Sequence, residues 1–184
     1  MADLYTTFCE PVGGVTGPLV KIRPAASSDT DKIVSGRVVS LDNDGNFALG
    51  LTKDGAMPAF VFRGTEAPSV YDALAGTGKW ISSSYGSNVM AFVATGGFEL
   101  QTTEFDGTQT YYPNDPLTVD NTTGKLTNQG ATLYAVDVVG ICSVHENPPN
   151  NIEPFKTGEP PCGRNANLAS VLTFWPVYLP KKPT

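Results

Sequence analysis

Residues 33–51 decide the fold. Ile33-Val34-Ser35-Gly36-Arg37-Val38-Val39-Ser40-Leu41 runs into Asp42-Asn43-Asp44-Gly45 and leaves as Asn46-Phe47-Ala48-Leu49-Gly50-Leu51. The apolar residues of both arms follow the two-residue period of strands more than the 3.6-residue period of a helix. Asp-Gly between two apolar runs is a strong hairpin signal, because glycine accepts the positive φ of the turn. The tetrad also has the spacing of the start of a calcium loop. Its twelfth position, counted from Asp42, is Lys53, where that loop needs an acidic ligand. The segment therefore reads as a strand-turn-strand unit.

The same pattern continues outward. Pro58-Ala59-Phe60-Val61-Phe62 reads as a further strand. Val89-Met90-Ala91-Phe92-Val93-Ala94, the turn Thr95-Gly96-Gly97 and Phe98-Glu99-Leu100-Gln101-Thr102 read as a second hairpin. A compact block over 111–144 holds Asp115-Pro116-Leu117-Thr118-Val119, the turn Asn121-Thr122-Thr123-Gly124, Lys125-Leu126-Thr127 and a strand at 137–144. The chain closes on the aromatic strand 170–180, where Pro176 predicts an edge position or a bulge. The one helix expected lies at 68–75, with Pro68 in its first turn, Val70 and Leu74 on one face and Gly76 as C-cap. Residues 146–167 carry five prolines and five asparagines and read as a long irregular loop of the kind that contacts partners.

The fold class expected is mainly β: a β-barrel or β-sandwich of short antiparallel strands with at most one or two short helices. Residues 1–184 are taken as a single β-rich domain, with the alternative of two lobes meeting near residue 108.

Composition agrees with that class and narrows the function. The 19 glycines and 15 prolines make up nearly one residue in five, where average usage is about one in eight. Such dense breakers leave little room for long helices. Charged residues are only 16% of the chain, against about 25% in average globular domains, which predicts surface covered by another molecule. The net charge of −6 opposes nucleic-acid binding, which needs clustered Lys and Arg to displace counterions. The only basic pairs are Lys21 with Arg23 and Lys181-Lys182. No apolar stretch approaches the roughly 20 residues that span a bilayer, and Met1-Ala2-Asp3-Leu4 lacks the basic start of a secretory signal. Synthesis in a cytosol with Cys9, Cys142 and Cys162 reduced is expected, which makes the Asn121-Thr122-Thr123 sequon irrelevant.

Groups able to do chemistry are sparse. His145 is the only histidine, so any Ser-His-Asp or Cys-His arrangement must use it. It follows an apolar run and precedes the proline-rich loop, where a solvated side chain is the ordinary outcome. A zinc site would need Cys142, His145 and Cys162 with a fourth ligand, and one Cys-x-x-His pair is weak support. Gly76-Thr77-Gly78-Lys79 is followed by Trp80 rather than Ser or Thr, and the first glycine of a phosphate loop would fall at Ala73. Glu99 with Glu104 or Asp106 could in principle act on glycosides, but carboxylates on strand faces are usually solvated. Among the aromatic residues, Phe174 and Trp175 are expected in the core, and Tyr178 either there or at an interface. No catalytic, cofactor-binding or metal-binding residue is assigned, and no cofactor is expected.

Four stretches resemble the capsid decoration, or cement, proteins of tailed bacteriophages. They are 36–47 with Ala56-Met57-Pro58-Ala59-Phe60-Val61; Gly97-Phe98-Glu99-Leu100-Gln101-Thr102-Thr103-Glu104-Phe105-Asp106; 112–119 with Thr123-Gly124-Lys125-Leu126-Thr127 and Val139-Gly140-Ile141-Cys142; and Leu172-Thr173-Phe174-Trp175-Pro176-Val177-Tyr178-Leu179-Pro180. The resemblance spans roughly 33–180 and lies in style and order rather than in a chemical signature. It implies a β-barrel or sandwich that forms dimers or trimers and sits on the head exterior at junctions between major capsid subunits. The family carries no catalytic motif to transfer. The expected partners are the major capsid protein and further copies of this chain, with no nucleic acid and no membrane. The expected location is the virion exterior, after synthesis in the host bacterial cytoplasm. Tyr5, Phe8, Phe155, Tyr178 and Leu179 are the residues expected to reach neighbours. Two alternatives remain: a phage tail or receptor-binding β-module, and a carbohydrate-binding or hydrolytic β-sandwich using Trp80, Tyr111 or Glu104.

Overall fold

The computed structural model describes residues 9–14, 19–29, 32–63, 88–146 and 171–182. Among the described residues there are eleven strands and no helix. In chain order they are β1 (Cys9–Gly14), β2 (Val20–Pro24), β3 (Val38–Leu41), β4 (Phe47–Leu49), β5 (Ala59–Arg63) and β6 (Asn88–Val93), then β7 (Phe98–Thr102), β8 (Pro116–Val119), β9 (Leu126–Thr127), β10 (Gly140–Glu146) and β11 (Val171–Trp175). The expected helix at 68–75 lies outside the described residues, as does the proline-rich loop from 147 onward.

The strands build two sheets in which every strand pair is antiparallel. One has six strands in the order β1-β7-β11-β10-β8-β9, and the other has five in the order β2-β6-β5-β3-β4. The protein is a β-sandwich. The six-stranded sheet draws strands from both sides of residue 108.

The opening hairpin forms as its sequence predicts. Val39 lies opposite Leu49, Ser40 opposite Ala48 and Leu41 opposite Phe47. Asp42 Oδ1 accepts from the Asp44 and Asn46 N–H groups at 2.9 and 2.8 Å, and Gly45 takes φ 82°. The side chain thus satisfies backbone donors that the tight turn leaves without a strand partner.

Period-two alternation then distributes side chains between two apolar layers. Val38, Phe60 and Phe92 of the five-stranded sheet join Phe98, Leu100, Leu117, Leu126, Leu172 and Phe174 in the inter-sheet core. The Phe60 and Phe174 rings meet across the sandwich with centroids 5.0 Å apart. Val39, Ala59, Val61, Val89 and Ala91 point the other way and are buried with Ala25, Ile33 and Phe47. The five-stranded sheet is therefore apolar on both faces, which accounts for the unbroken apolar runs at 38–39 and 59–62.

Two expectations about the strands are corrected. The 89–102 segment is not a hairpin: β6 pairs with β2 and β5, whereas β7 pairs with β1 and β11. Gly96 and Gly97, at φ 74° and 80°, carry the chain from one sheet to the other. Phe92, Ala94 and Phe98 can then all face the shared core. The aromatic strand β11 is central rather than at an edge, because it ends at Trp175 and Pro176 lies just beyond it. The register irregularity of this pair falls in β10, between Cys142 and Val144.

Candidate partner surface

Strand β2 ends the five-stranded sheet, and its flank is the most exposed aliphatic stretch of the described chain. Leu19, Val20 and Ile22 are 59%, 40% and 50% exposed. Register with β6 places Val20 opposite Phe92 and Ile22 opposite Met90, on the face that meets the other sheet. Lys21 and Arg23 lie opposite Ala91 and Val89 on the outer face. The apolar pair thus extends the core face beyond the last covered strand, with two cations behind it. An edge strand with exposed aliphatic side chains is a template for pairing with another chain. The sequence carried the signal in Leu19-Val20-Lys21-Ile22-Arg23-Pro24, where apolar and basic residues alternate. Lys21 and Arg23 stand out there as charges, and the aliphatic residues that alternate with them are inconspicuous until the strand is known to be an edge.

Of the residues expected to reach partners, Tyr5, Phe8 and Phe155 lie outside the described residues. Tyr178 and Leu179 meet at a junction around Asp137. This buried carboxylate accepts from the Tyr178 hydroxyl at 3.1 Å and the Lys181 N–H at 3.0 Å through Oδ1, and from the Gly55 N–H at 3.4 Å through Oδ2. Leu179 and Val138 exchange both backbone hydrogen bonds at 2.9 Å. Tyr178 also packs against the inter-sheet core. Burial, and after it the bond to Asp137, pushes the Tyr178 hydroxyl up to about 12. The last described residues are thereby tied to the body, and the exposed Met57, Leu133 and Tyr134 lie within four residues of a bonded group.

The sequence-derived candidates for chemistry are held in local structure. Glu104 is not solvated as expected: it is 7% exposed and meets Arg37 Nε at 3.0 Å. Glu99 accepts from the Ser143 hydroxyl at 2.7 Å. Asp106 accepts from the Thr108 hydroxyl and N–H, and these bonds hold its carboxyl below the usual range. Each carboxylate therefore serves a different neighbour. Tyr111, considered for stacking on a sugar, is buried and donates to the Asp106 carbonyl at 2.9 Å; Trp80 lies outside the described residues. Trp175, expected in the core, is 44% exposed, because alternation from the buried Phe174 turns it outward.

The residues that a zinc site would need are placed only in part. Cys142 is buried, and burial followed by the charge of Asp115 pushes its thiol up to about 11, away from the thiolate a metal needs. His145 belongs to β10 rather than following it, and its backbone lies opposite Leu172. Cys162 is outside the described residues. Among the described residues no group of three His, Cys, Asp or Glu side chains is placed to hold a metal ion, and no helix is long and apolar enough to cross a membrane. Comparison with protein-family models, with curated proteins and with solved structures gave no match in any of the three.

Proposed function

We propose that this chain is a non-enzymatic structural protein of a tailed-phage virion, a capsid decoration protein that binds the outside of the head. In this reading it is made in the bacterial cytoplasm, self-associates as a dimer or trimer, and spans junctions between major capsid subunits. The observation that carries the reading is the open aliphatic flank of β2, where Val20 and Ile22 of the edge strand and Leu19 just before it stand exposed. Val20 and Ile22 share the core face and Leu19 flanks them on the other, and exposed apolar residues gathered at one sheet edge mark an interaction surface where scattered single ones do not. The low charged fraction of 16% adds support, since surface pressed against other subunits needs fewer charges. A stable contact requires on the order of 1,000 Å² of buried surface, and an oligomer repeats such contacts and slows release.

The carbohydrate or hydrolase reading loses Tyr111, which is buried, and Glu104, which is paired with Arg37, while Trp80 lies outside the described residues. The decoration reading is tested by mixing the purified protein with expanded, undecorated heads assembled from the major capsid protein of the same genome. Stoichiometric binding and greater heat resistance of the heads are expected; absence of both rejects it. Labelling confined to the tail in electron micrographs of virions would instead support a tail component.

A further inference from the structure

We infer that β2 is a docking edge for an extended segment of another protein, one whose side chains alternate apolar and acidic and which adds to the five-stranded sheet as a sixth strand. The inference deepens the proposed function, and rests on it only for the identity of the protein that supplies the segment. It starts from the backbone. The Leu19 carbonyl accepts from the Val93 N–H at 2.8 Å, so residues 19, 21 and 23 turn their backbone groups toward β6. Antiparallel alternation then turns those of Val20 and Ile22 to the opposite side, where the sheet has no further strand among the described residues. Among the described residues the Ile22 carbonyl takes an exposed bond from the Arg23 guanidinium at 3.2 Å, which an incoming N–H displaces. Pro24 has no N–H to offer and sets one end of the site.

Side chains specify the occupant. A strand added beside β2 meets Val20 and Ile22 on the core face and Lys21 and Arg23 on the outer face. Apolar side chains on the first face extend the inter-sheet core, and carboxylates on the second pair with the two cations. Opposite charges across a strand pair are favourable and like charges are not. The same rule disfavours a second copy of β2 in the two registers that overlap the cations most fully. In a two-fold antiparallel pair centred on Ile22, Lys21 faces the copy's Arg23; centred on Lys21, the two lysines face each other.

The probe is a short synthetic peptide alternating Glu and Val, compared with one in which Lys replaces each Glu. Binding is followed by amide NMR on the full chain. The Glu peptide is expected to bind, to slow exchange of the Val20 and Ile22 amides, and to bind more tightly than the Lys peptide. Ile22→Pro deletes the outward N–H while leaving the β6 pairing intact, and is expected to weaken binding about tenfold or more, the effect of about 1.4 kcal/mol. Ile22→Ala, which keeps that N–H, is expected to bind more tightly than Ile22→Pro. The pair Lys21→Glu with Arg23→Glu is expected to reverse the preference to the Lys peptide, which keeps the inference testable should Ile22→Pro not fold. No binding of the Glu peptide, equal binding of both peptides, protection elsewhere than β2, or self-association lost in Ile22→Pro would each overturn the inference. Heads that bind native protein and Ile22→Pro alike reject the docking edge and keep the capsid reading. Peptide binding without head binding does the reverse.

Discussion

Arg37 Nε lies 3.0 Å from Glu104 Oε2, and this contact ties the two sheets together. Arg37 immediately precedes β3 of one sheet, and Glu104 follows β7 of the other. The Arg37 guanidinium also donates to the Lys32 carbonyl at 2.7 Å, and the Thr102 hydroxyl donates to the neighbouring Gly36 carbonyl at 3.2 Å. Arg37→Ala leaves a buried carboxylate without its cation, and is expected to cost about 3 kcal/mol in urea unfolding. Lys181→Ala, which removes an exposed contact with Asp54 at 3.8 Å, is expected to cost less than about 1 kcal/mol through loss of that ion pair.

Phe60 and Phe174 are each fully buried and touch across the sandwich. Truncating either to Ala is expected to cost about 3–5 kcal/mol. Because both cavities open into the same space, the double variant is expected to lose less than the two single losses added together. Equilibrium denaturation of the four proteins in this cycle measures the difference.

Gly50 and Gly124 have φ of +70° each, and both sit against neighbours. A Cβ on Gly50 would lie 2.8 Å from the Asn121 Cα, and one on Gly124 2.5 Å from Leu49 Cδ1. Gly45 has φ +82° with open space around it. Gly45→Ala is therefore expected to cost only the backbone strain of about 1–2 kcal/mol, and Gly50→Ala more, because the 121 turn must also shift. Thermal melts of the two variants rank the effects.

At high pH, Tyr178 sets a limit on stability. Its hydroxyl, ordinarily near 10, is pushed up to about 12 in the folded chain, so the folded state holds this proton where the unfolded state has released it. That contribution is fully present below pH 10 and is lost as pH rises from 10 through 12. Tyr178→Phe is expected to lower stability by about 1 kcal/mol at neutral pH through the lost hydrogen bond. The variant is also expected to flatten the fall in stability between pH 10 and 12, read from denaturant midpoints across that range. A variant as steep as the parent would place the alkaline transition elsewhere.

The β class was legible because its signals are local. Asp42 to Gly45 specify a turn through their own side chain and φ, and they form it. Thr95-Gly96-Gly97 looked equivalent, yet its two glycines serve a crossing between sheets. Left-handed glycine geometry suits either use, and the strands that decide between them, β1 and β11, lie far away in sequence. Trp175 could have been placed from alternation alone once Leu172 and Phe174 were set inward, but its size argued for burial. The pairing of Glu104 with Arg37, 67 residues earlier in the chain, left no trace in local spacing. The edge character of β2 depends on which strand happens to be last in a sheet, a property of the assembled topology and not of residues 20–24.

The central position of β11 has a consequence for how the protein is made. Strands β7 and β10 flank it on either side, so neither has its middle neighbour until residues 171–175 have left the ribosome. During translation the nascent chain therefore holds two unfinished sheet edges, and the sandwich can close only after its last strand is inserted between them. Such late, long-range closure slows folding and prolongs exposure of sticky intermediates. A truncated or prematurely released product of this gene would be open at the middle of its larger sheet, where the intact protein is sealed.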